Sequence, residues 1–275
     1  MSKNNQIAIL FSGGTDSTCA AAIMTDRFNV IHLITLNRFG FFSVENSSCN
    51  VRLLQQKFST KIFIHNFINT DNLARYISYN NFIRNLFKYG FFMLSNCLIC
   101  GLVNHFRALI FCLDNDIKDV ADGSTREWSF FPTHMEKIIN ELKKMYAEFK
   151  IDYHTPVYDF ALPQPMTFKD KINIPITGID SAFIVNSKYS KTTGNYLHDI
   201  GIFPAPNIKG SDLDRKMQPH CFQFVLHHIY VYWYYMTRNK YADFELLTLS
   251  FFKEKISDFT KILRGNSKII SHLKK

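Results

Sequence analysis

Six consecutive residues near the start of the chain, Ser12-Gly13-Gly14-Thr15-Asp16-Ser17, carry the groups needed to hold a phosphate. The two glycines allow a tight turn and a close backbone approach to a ligand. Backbone N–H groups of such a turn, and of the helix it opens into, point at an anion, and the helix dipole favours negative charge there. Ser12, Thr15 and Ser17 add hydroxyl donors. Asp16 is the odd member of an anion site; its carboxylate makes sense as a ligand for Mg²⁺ or as a group ordering the first helical turn. An ordinary strand-to-helix turn capped by Ser or Asp can also contain Gly-Gly. What sets this segment apart is the complete set of six at the end of the first strand. The Gly-Lys-Ser/Thr of the Walker loop is missing, and so is the dinucleotide fingerprint.

A second group of candidates is built on sulfur. Cys97-Leu98-Ile99-Cys100 places two thiols at the expected start of a helix. That spacing lets both sulfurs ligate one metal, or lets one thiolate attack or resolve a disulfide, and a helix N-terminus lowers the thiol pKa. A second CxxC is absent, so no four-cysteine zinc site is encoded locally. Cys221, after Gln218-Pro219-His220, sits among polar residues and is the candidate third thiol. Cys19 and Cys112 fall in apolar helical patterns and are expected in the core, while Cys49 is expected at the surface with no visible partner. Spacing alone leaves metal binding, persulfide chemistry and inert burial open. His220 is a ligand, a base or a solvated loop residue. Lys209, Arg215 and Lys216 belong to a segment dense in charge, Gly and Pro. It is either a solvated loop or a cover for the phosphates, with Lys209 or Arg215 countering charge on pyrophosphate. Lys169 and Lys171 are weaker versions of the same idea.

These groups need a scaffold. Ile7 to Phe11 is a short continuous apolar run, as expected of a buried parallel strand, and Ser17 to Thr25 reads as an Ala-rich helix. Residues 29–36 form a second strand, 47–58 a helix and 61–65 a third strand. Leu73 to Tyr89 reads as one long helix or two, Cys97 to Leu113 as another. Asp119 to Asp122 is a fourth strand, followed by Gly123-Ser124-Thr125, and Thr133 to Phe149 is helical. Strands alternating with helices predict an α/β fold with a doubly wound parallel sheet. Ligands in such folds sit outside the carboxyl ends of the strands. That puts Leu36 near an adenine, and Asp122, Gly123 and Ser124 near the nucleotide or the substrate. Seven prolines between residues 156 and 219 then predict loops and short elements crossing the top of the sheet. Helix resumes at Phe222, with the aromatic run to Met236 expected as a buried helix, and continues from Tyr241 to Leu263. The division is a nucleotide-binding domain over residues 1–150 and a Pro-rich, then helical, region over 151–275 that covers the site.

Composition sets outer limits. With 275 residues, 47% hydrophobic and 20% charged, the chain is globular, and disorder does not dominate. A net charge of +9 favours polyanions such as RNA or nucleotides, although codon bias toward Lys gives the same excess. The polar opening Met1 to Gln6 is unlike a secretory signal, and no 18-residue apolar stretch was expected, so a soluble cytoplasmic protein without membrane contact is anticipated. Structural disulfides are then not expected.

Leu10-Phe11-Ser12-Gly13-Gly14-Thr15-Asp16-Ser17-Thr18 resembles the PP-loop of the ATP pyrophosphatase superfamily, whose pattern is SGGxDS. The resemblance spans about residues 6 to 150. It implies a fold like that of the adenine nucleotide α-hydrolases, with ATP and Mg²⁺ at this loop and release of pyrophosphate to leave an adenylated substrate. A CxxC after the third strand plus one distant cysteine is similar to the tRNA 2-thiolation enzymes, which hold a [4Fe–4S] cluster on three cysteines. Carried over, the ligands are Cys97, Cys100 and Cys221, with one iron left open for the sulfur to be transferred. Several thiolating members carry paired acidic residues after the fourth strand. Gly123-Ser124-Thr125-Arg126-Glu127-Trp128 departs from that, retaining only Glu127, which puts the substrate in doubt. The expected function is therefore adenylation followed by sulfur transfer to tRNA or a small molecule, with a sulfur-donor protein and a homodimer among the partners left open. The alternatives are a ligase using ammonia or an amine, as in the deazaguanine nitrile synthases, whose four clustered zinc-binding cysteines are missing here, and a nucleotide-binding module without catalysis.

Overall fold

The computed structural model describes residues 5–80, 82–90, 92, 96–126, 131–161, 191–235, 237–239, 241–265, 270, 271, 273 and 274. Its centre is β1 (Gln6–Leu10), in which Ile7, Ala8 and Ile9 are fully buried. A strand apolar on both faces must be covered on both, and this one is flanked on each side by another strand. β1 pairs in parallel with β2 (Val30–Asn37), and β2 with β4 (Ile62–Asn69) at the edge; β3 (Phe41–Phe42) lies outside this sheet. On the other side come β5 (Asp119–Ala121) and β6 (Asp152–His154), giving a five-stranded parallel sheet of order β4-β2-β1-β5-β6.

Alternation along the strands sorts the core into two layers. Ile7, Ile9, Ile31 and Leu33 pack with α1 (Thr15–Met24) and α2 (Ser48–Lys57), together with Leu197 and Phe203 from farther along the chain. Ala8, Ile34, Leu36 and Val120 face the opposite layer. That layer holds α3 (Asp71–Ser78), α4 (Phe82–Tyr89), α5 (Asn96–Asp114) and α6 (Glu136–Ala147). The chain is thus an α/β protein with helices on both faces of a parallel sheet and a helical C-terminal region, as expected. Cys19 and Cys112 are fully buried, also as expected.

Leu73 to Tyr89 takes the second of its two expected forms, with one helix ending at Ser78 and the next starting at Phe82. Other details depart from the sequence expectations. The fifth strand, β6, lies beyond residue 150, where three residues gave too little apolar pattern to be read. Two further helices follow, α7 (Thr193–Asp199) and the short α8 (Asp212–Lys216). β7 (His220–Cys221) pairs antiparallel with β3, leading into α9 (Phe222–His228) and a π-helical stretch over Ile229–Tyr235. This aromatic segment is not a buried helix. His227, Tyr230 and Val231, spaced i, i+3, i+4, are turned inward, while Phe222, Val225, Leu226 and Ile229 are more than half exposed. The last long helix, α10 (Tyr241–Gly265), returns to the core, stacking Phe259 on Phe106 of α5 at 3.8 Å.

α5 is the one helix among the described residues long and apolar enough, over Cys97–Asp114, to cross a membrane, a feature not anticipated. Here it is a core helix: Leu98, Leu102, Val103, Phe106 and Leu109 are fully buried in the layer shared with α6 and α10. Glu127, Trp128, Lys169, Lys171, Met236 and prolines 163, 165 and 175 lie outside the described residues.

Candidate active site

The carboxyl end of β1 leads through Phe11 to Gly14 into α1. Gly13 has φ of 80°, the left-handed region that glycine tolerates. A Cβ on it would stand 2.2 Å from the Met217 carbonyl oxygen and 2.6 Å from the Ser47 Cα, and one on Gly14 would stand 2.7 Å from Gln218 Oε1. Gly13 is therefore demanded by the backbone that packs over it, while Gly14 meets the end of a flexible side chain. The Gly14 N–H donates to Ser12 Oγ at 3.2 Å, and Ser17 Oγ donates to the Gly14 carbonyl at 3.1 Å. Ser12 Oγ and Ser17 Oγ are 3.1 Å apart. The hydroxyls close the turn on itself while Ser12 stays at the surface. Asn50, buried on α2, donates its Nδ2 to the Gly13 carbonyl at 2.6 Å and lies 3.2 Å from Thr18 Oγ1. No motif pointed to Asn50.

Asp16 lies in the first turn of α1. Burial pushes its carboxyl up, and a hydrogen bond from Thr193 Oγ1 to Oδ1 at 2.6 Å pulls it down. Thr193 opens α7, which packs on α1 and was read as loop in the sequence; the Thr192 side chain, accepting from the Asn195 N–H, is the capping signal that could have found it.

The turn after β5 meets α1 from the other side. A Cβ on Gly123 would stand 2.6 Å from the Ser17 nitrogen and 2.8 Å from the Asp16 carbonyl carbon. Asp122 is buried, with its carboxylate accepting from the Ser124 N–H at 3.0 Å, Ser124 Oγ at 2.8 Å and Tyr153 OH at 2.6 Å. Its oxygens thus accept hydrogen bonds within the protein, where they fix the shape of the turn, and Gly123 is the residue that abuts Asp16 and Ser17. Behind it, His105 Nε2 lies 3.6 Å from Asp122 Oδ2. Burial pushes that imidazole down to about 3, so the contact joins a neutral ring to Asp122 and is no ion pair. His134 Nδ1 lies 3.1 Å from the Thr125 nitrogen and 3.3 Å from its carbonyl oxygen, and burial pushes it down to about 4. Leu36 is buried in the core layer of α5, its side chain among apolar neighbours.

Cys97 and Cys100 lie at the start of α5, as expected, and the Cys221 thiol acts on both electrostatically. Burial pushes the Cys97 thiol well above its usual range, and the neighbouring Cys100 and Cys221 push it further; the positive charge of Arg38 opposes them. Burial likewise raises Cys100, against Arg38 and a hydrogen bond to Asn104. Among the described residues, no group of three or more His, Cys, Asp or Glu side chains is close enough to hold one metal ion. Arg38 was not foreseen. It directly follows β2, is 8% exposed, donates to Gln223 Oε1 and lies over the Phe41 ring at 5.6 Å. Arg38 Nε and Asn104 Oδ1 are buried atoms with no hydrogen-bond partner. A cavity of about 250 Å³ adjoins this point, lined in part by Arg38, Phe39, Asp71, Arg75, Ile99 and Gln223.

One strap of chain, residues 217–223, serves both groups. Its Met217 and Gln218 lie over Gly13 and Gly14, Asn46 Nδ2 donates to the Gln218 carbonyl at 3.3 Å, and Cys221 follows in β7. Lys209 and Arg215 precede the strap and are exposed; Arg215 pairs with Asp212 at 3.8 Å. His220 is exposed, stacks on Phe42 and has Nε2 3.2 Å from the Arg215 carbonyl oxygen.

No family model and no curated protein matches the chain. Among solved structures it is similar to a protein described as a predicted subunit of tRNA methyltransferase, from Methanocaldococcus jannaschii. That likeness is 23% identical, covers 57% of this chain and 69% of the other, and has a TM-score of 0.36, a level that bears on neither function nor partners.

Proposed function

We propose that this chain uses ATP to adenylate a substrate oxygen and then replaces that oxygen with sulfur at its thiols. The observation that supports this reading is the strap: the short segment that lies on Gly13 and Gly14 also carries Cys221, which acts electrostatically on Cys97 and Cys100. A phosphate loop beside a set of thiols suits a two-step reaction in which activation and sulfur delivery meet at one carbon.

In the first step a carbonyl-type oxygen of the substrate attacks the α-phosphorus, the bond to the β-phosphate oxygen breaks, and pyrophosphate leaves. The turn's backbone N–H groups and the N-terminus of α1 stabilise the charge that moves onto the leaving group. Asp16 supplies a carboxylate for Mg²⁺, with Thr193 holding one of its oxygens. Lys209 and Arg215, exposed on the segment leading into the strap, are the cations this reading assigns to the departing pyrophosphate. In the second step a sulfur nucleophile at the level of hydrosulfide adds to the activated carbon and AMP departs with the oxygen. Tight packing of the turn after β5 onto α1 at Gly123 keeps the loop in one shape through both steps.

Cys97, Cys100 and Cys221 are the residues that would hold a [4Fe–4S] cluster. What supports this is that Cys100 and Cys221 act electrostatically on Cys97, that Arg38 supplies a counter-charge, and that two buried polar atoms, Arg38 Nε and Asn104 Oδ1, lack partners. A single metal ion would need its thiolates within roughly 4 Å of one another, given Zn–S bonds near 2.3 Å, and no such group occurs among the described residues. A cluster spreads its ligands over several irons. When bound, it supplies an open iron position for a sulfur atom.

The test is anaerobic purification followed by iron and sulfide analysis, with pyrophosphate release and sulfur incorporation measured across RNA and small-molecule substrates. The double variant C97S/C100S should still bind ATP and lose sulfur incorporation. Turnover that ignores both cysteines would mean an amine-using ligase, and ATP binding with no AMP from any substrate would mean a non-catalytic module.

A further inference from the structure

Cys221 stands near the start of α5 on a slender support: Gln223, two residues after it, and Ile99, between Cys97 and Cys100, line one cavity with Arg38. The β3–β7 ribbon that carries it has two residue pairs, Phe41 with Cys221 and Phe42 with His220. A ribbon this short is not stable alone and needs an anchor. The helix after it packs on α5 through buried His227, farther along, while Phe222, Val225 and Leu226, nearer Cys221, are more than half exposed.

Arg38 meets the ribbon from the sheet. It follows Asn37, the last residue of β2, and so stands on the rigid part of the fold. Its carbonyl accepts the Phe41 N–H at 3.0 Å, forming the tight turn that starts β3. That turn contains Gly40 at φ of 94°, where an added Cβ would stand 3.3 Å from Gln223 Nε2. The guanidinium then reaches both sides of the ribbon. It lies over the ring of Phe41, the register partner of Cys221, and it donates to Gln223, two residues beyond Cys221. The side chain is buried, and its Nε lacks a partner. Burying an unsatisfied donor is costly, and an N–H kept in this state beside the thiols remains available to whatever the thiols carry.

We propose that Arg38 is the positioning residue that holds Cys221 against Cys97 and Cys100 by clasping the β3–β7 ribbon to the end of β2. This rests on the proposed function only in taking the three thiols as one centre. The clasp needs the planar fork of Arg, which engages Gln223 and lies on Phe41 together; the ammonium of Lys carries the charge without that geometry.

The experiment cross-links thiols in full-length reduced protein without added metal, using dibromobimane in a C49S background, and maps the bridged peptides by mass spectrometry. The wild-type arm should give bridges within Cys97–Cys100 and from Cys221 to that pair. In R38Q the Cys221 bridges should fall roughly tenfold, the scale of one lost charge-assisted hydrogen bond, while the Cys97–Cys100 bridge persists. In R38K they should recover in part. Unchanged Cys221 bridging in R38Q overturns the proposal. Loss of both bridges together with a lowered melting temperature means Arg38 is needed for folding generally, and that also overturns it. Should even the unmutated protein give no Cys221 bridge, the single thiol centre is wrong, an outcome distinct from the failure of Arg38.

Discussion

Asn50 Nδ2 donates to the carbonyl oxygen of Gly13 at 2.6 Å, from a side chain with no solvent exposure. The bond ties α2 to the middle of the Ser12–Ser17 turn and satisfies the Gly13 carbonyl. Removing the amide leaves that buried oxygen only the longer bond from Thr18 Oγ1, at 3.5 Å. N50A should therefore lose about 1–3 kcal/mol of stability in chemical denaturation, and ATP should bind more weakly. N50D, which sets a carboxylate against a carbonyl, should do worse than N50A. Equal behaviour of both variants and wild type in ATP titration calorimetry would remove Asn50 from the loop's support.

Gly123 makes a second prediction. Its missing Cβ leaves room for the backbone of Asp16 and Ser17, and backbone cannot yield as a flexible side chain can. G123A should cost about 1–3 kcal/mol through forced separation of the turn from α1. ATP affinity should fall with it. G265A is the control: nothing lies within 4 Å of the site of its Cβ, so both quantities should stay at wild-type values.

Thr193 tunes Asp16. Burial raises the carboxyl and the Thr193 hydroxyl lowers it, so T193V removes the lowering contribution alone. The Asp16 pKa then rises further. If the carboxylate is the form that binds Mg²⁺, the acid limb of the pyrophosphate-release profile should move to higher pH in T193V and stay put in T193S. An acid limb unmoved in T193V would separate Asp16 from the metal.

The two buried imidazoles predict an acid-sensitive fold. His134 is held down to about 4 and His105 to about 3, while an unfolded histidine titrates near 6.5. Below roughly pH 6.5 the unfolded chain takes up protons that the native state refuses. Stability therefore falls as pH falls through this window, by about 1.4 kcal/mol per pH unit for each ring. Asp16 and Asp122, both pushed up by burial, act with the opposite sign at the low end and blunt the loss. Urea melts of H134Q between pH 7 and 4.5 should show a pH slope smaller by about one proton than wild type. An unchanged slope would mean His134 takes up its proton in the folded state.

The sequence by itself determined the scaffold and the kind of chemistry on offer. Ile7 to Leu10 is apolar on both faces, and the repeated strand–helix alternation leaves a parallel sheet as the way to bury it. The Ser12 to Ser17 turn was legible because it is a local object: its glycines, hydroxyls and helix start are consecutive in the chain. The CxxC was legible for the same reason. What tertiary structure decided was everything that arrives from far along the chain. Asn50 and Thr193 are polar residues in unremarked segments, and nothing local tells that they end at Gly13 and Asp16. Asp122 has the residue type of a ligand-binding carboxylate, but Tyr153 and Ser124 occupy it. Arg38 is one of many basic residues in a chain of charge +9, and its role depends on a ribbon between residues 41–42 and 220–221. Two-residue strands leave no periodic trace in a sequence. Their pairing is fixed only once the sheet brings the ends of β2 and the strap together.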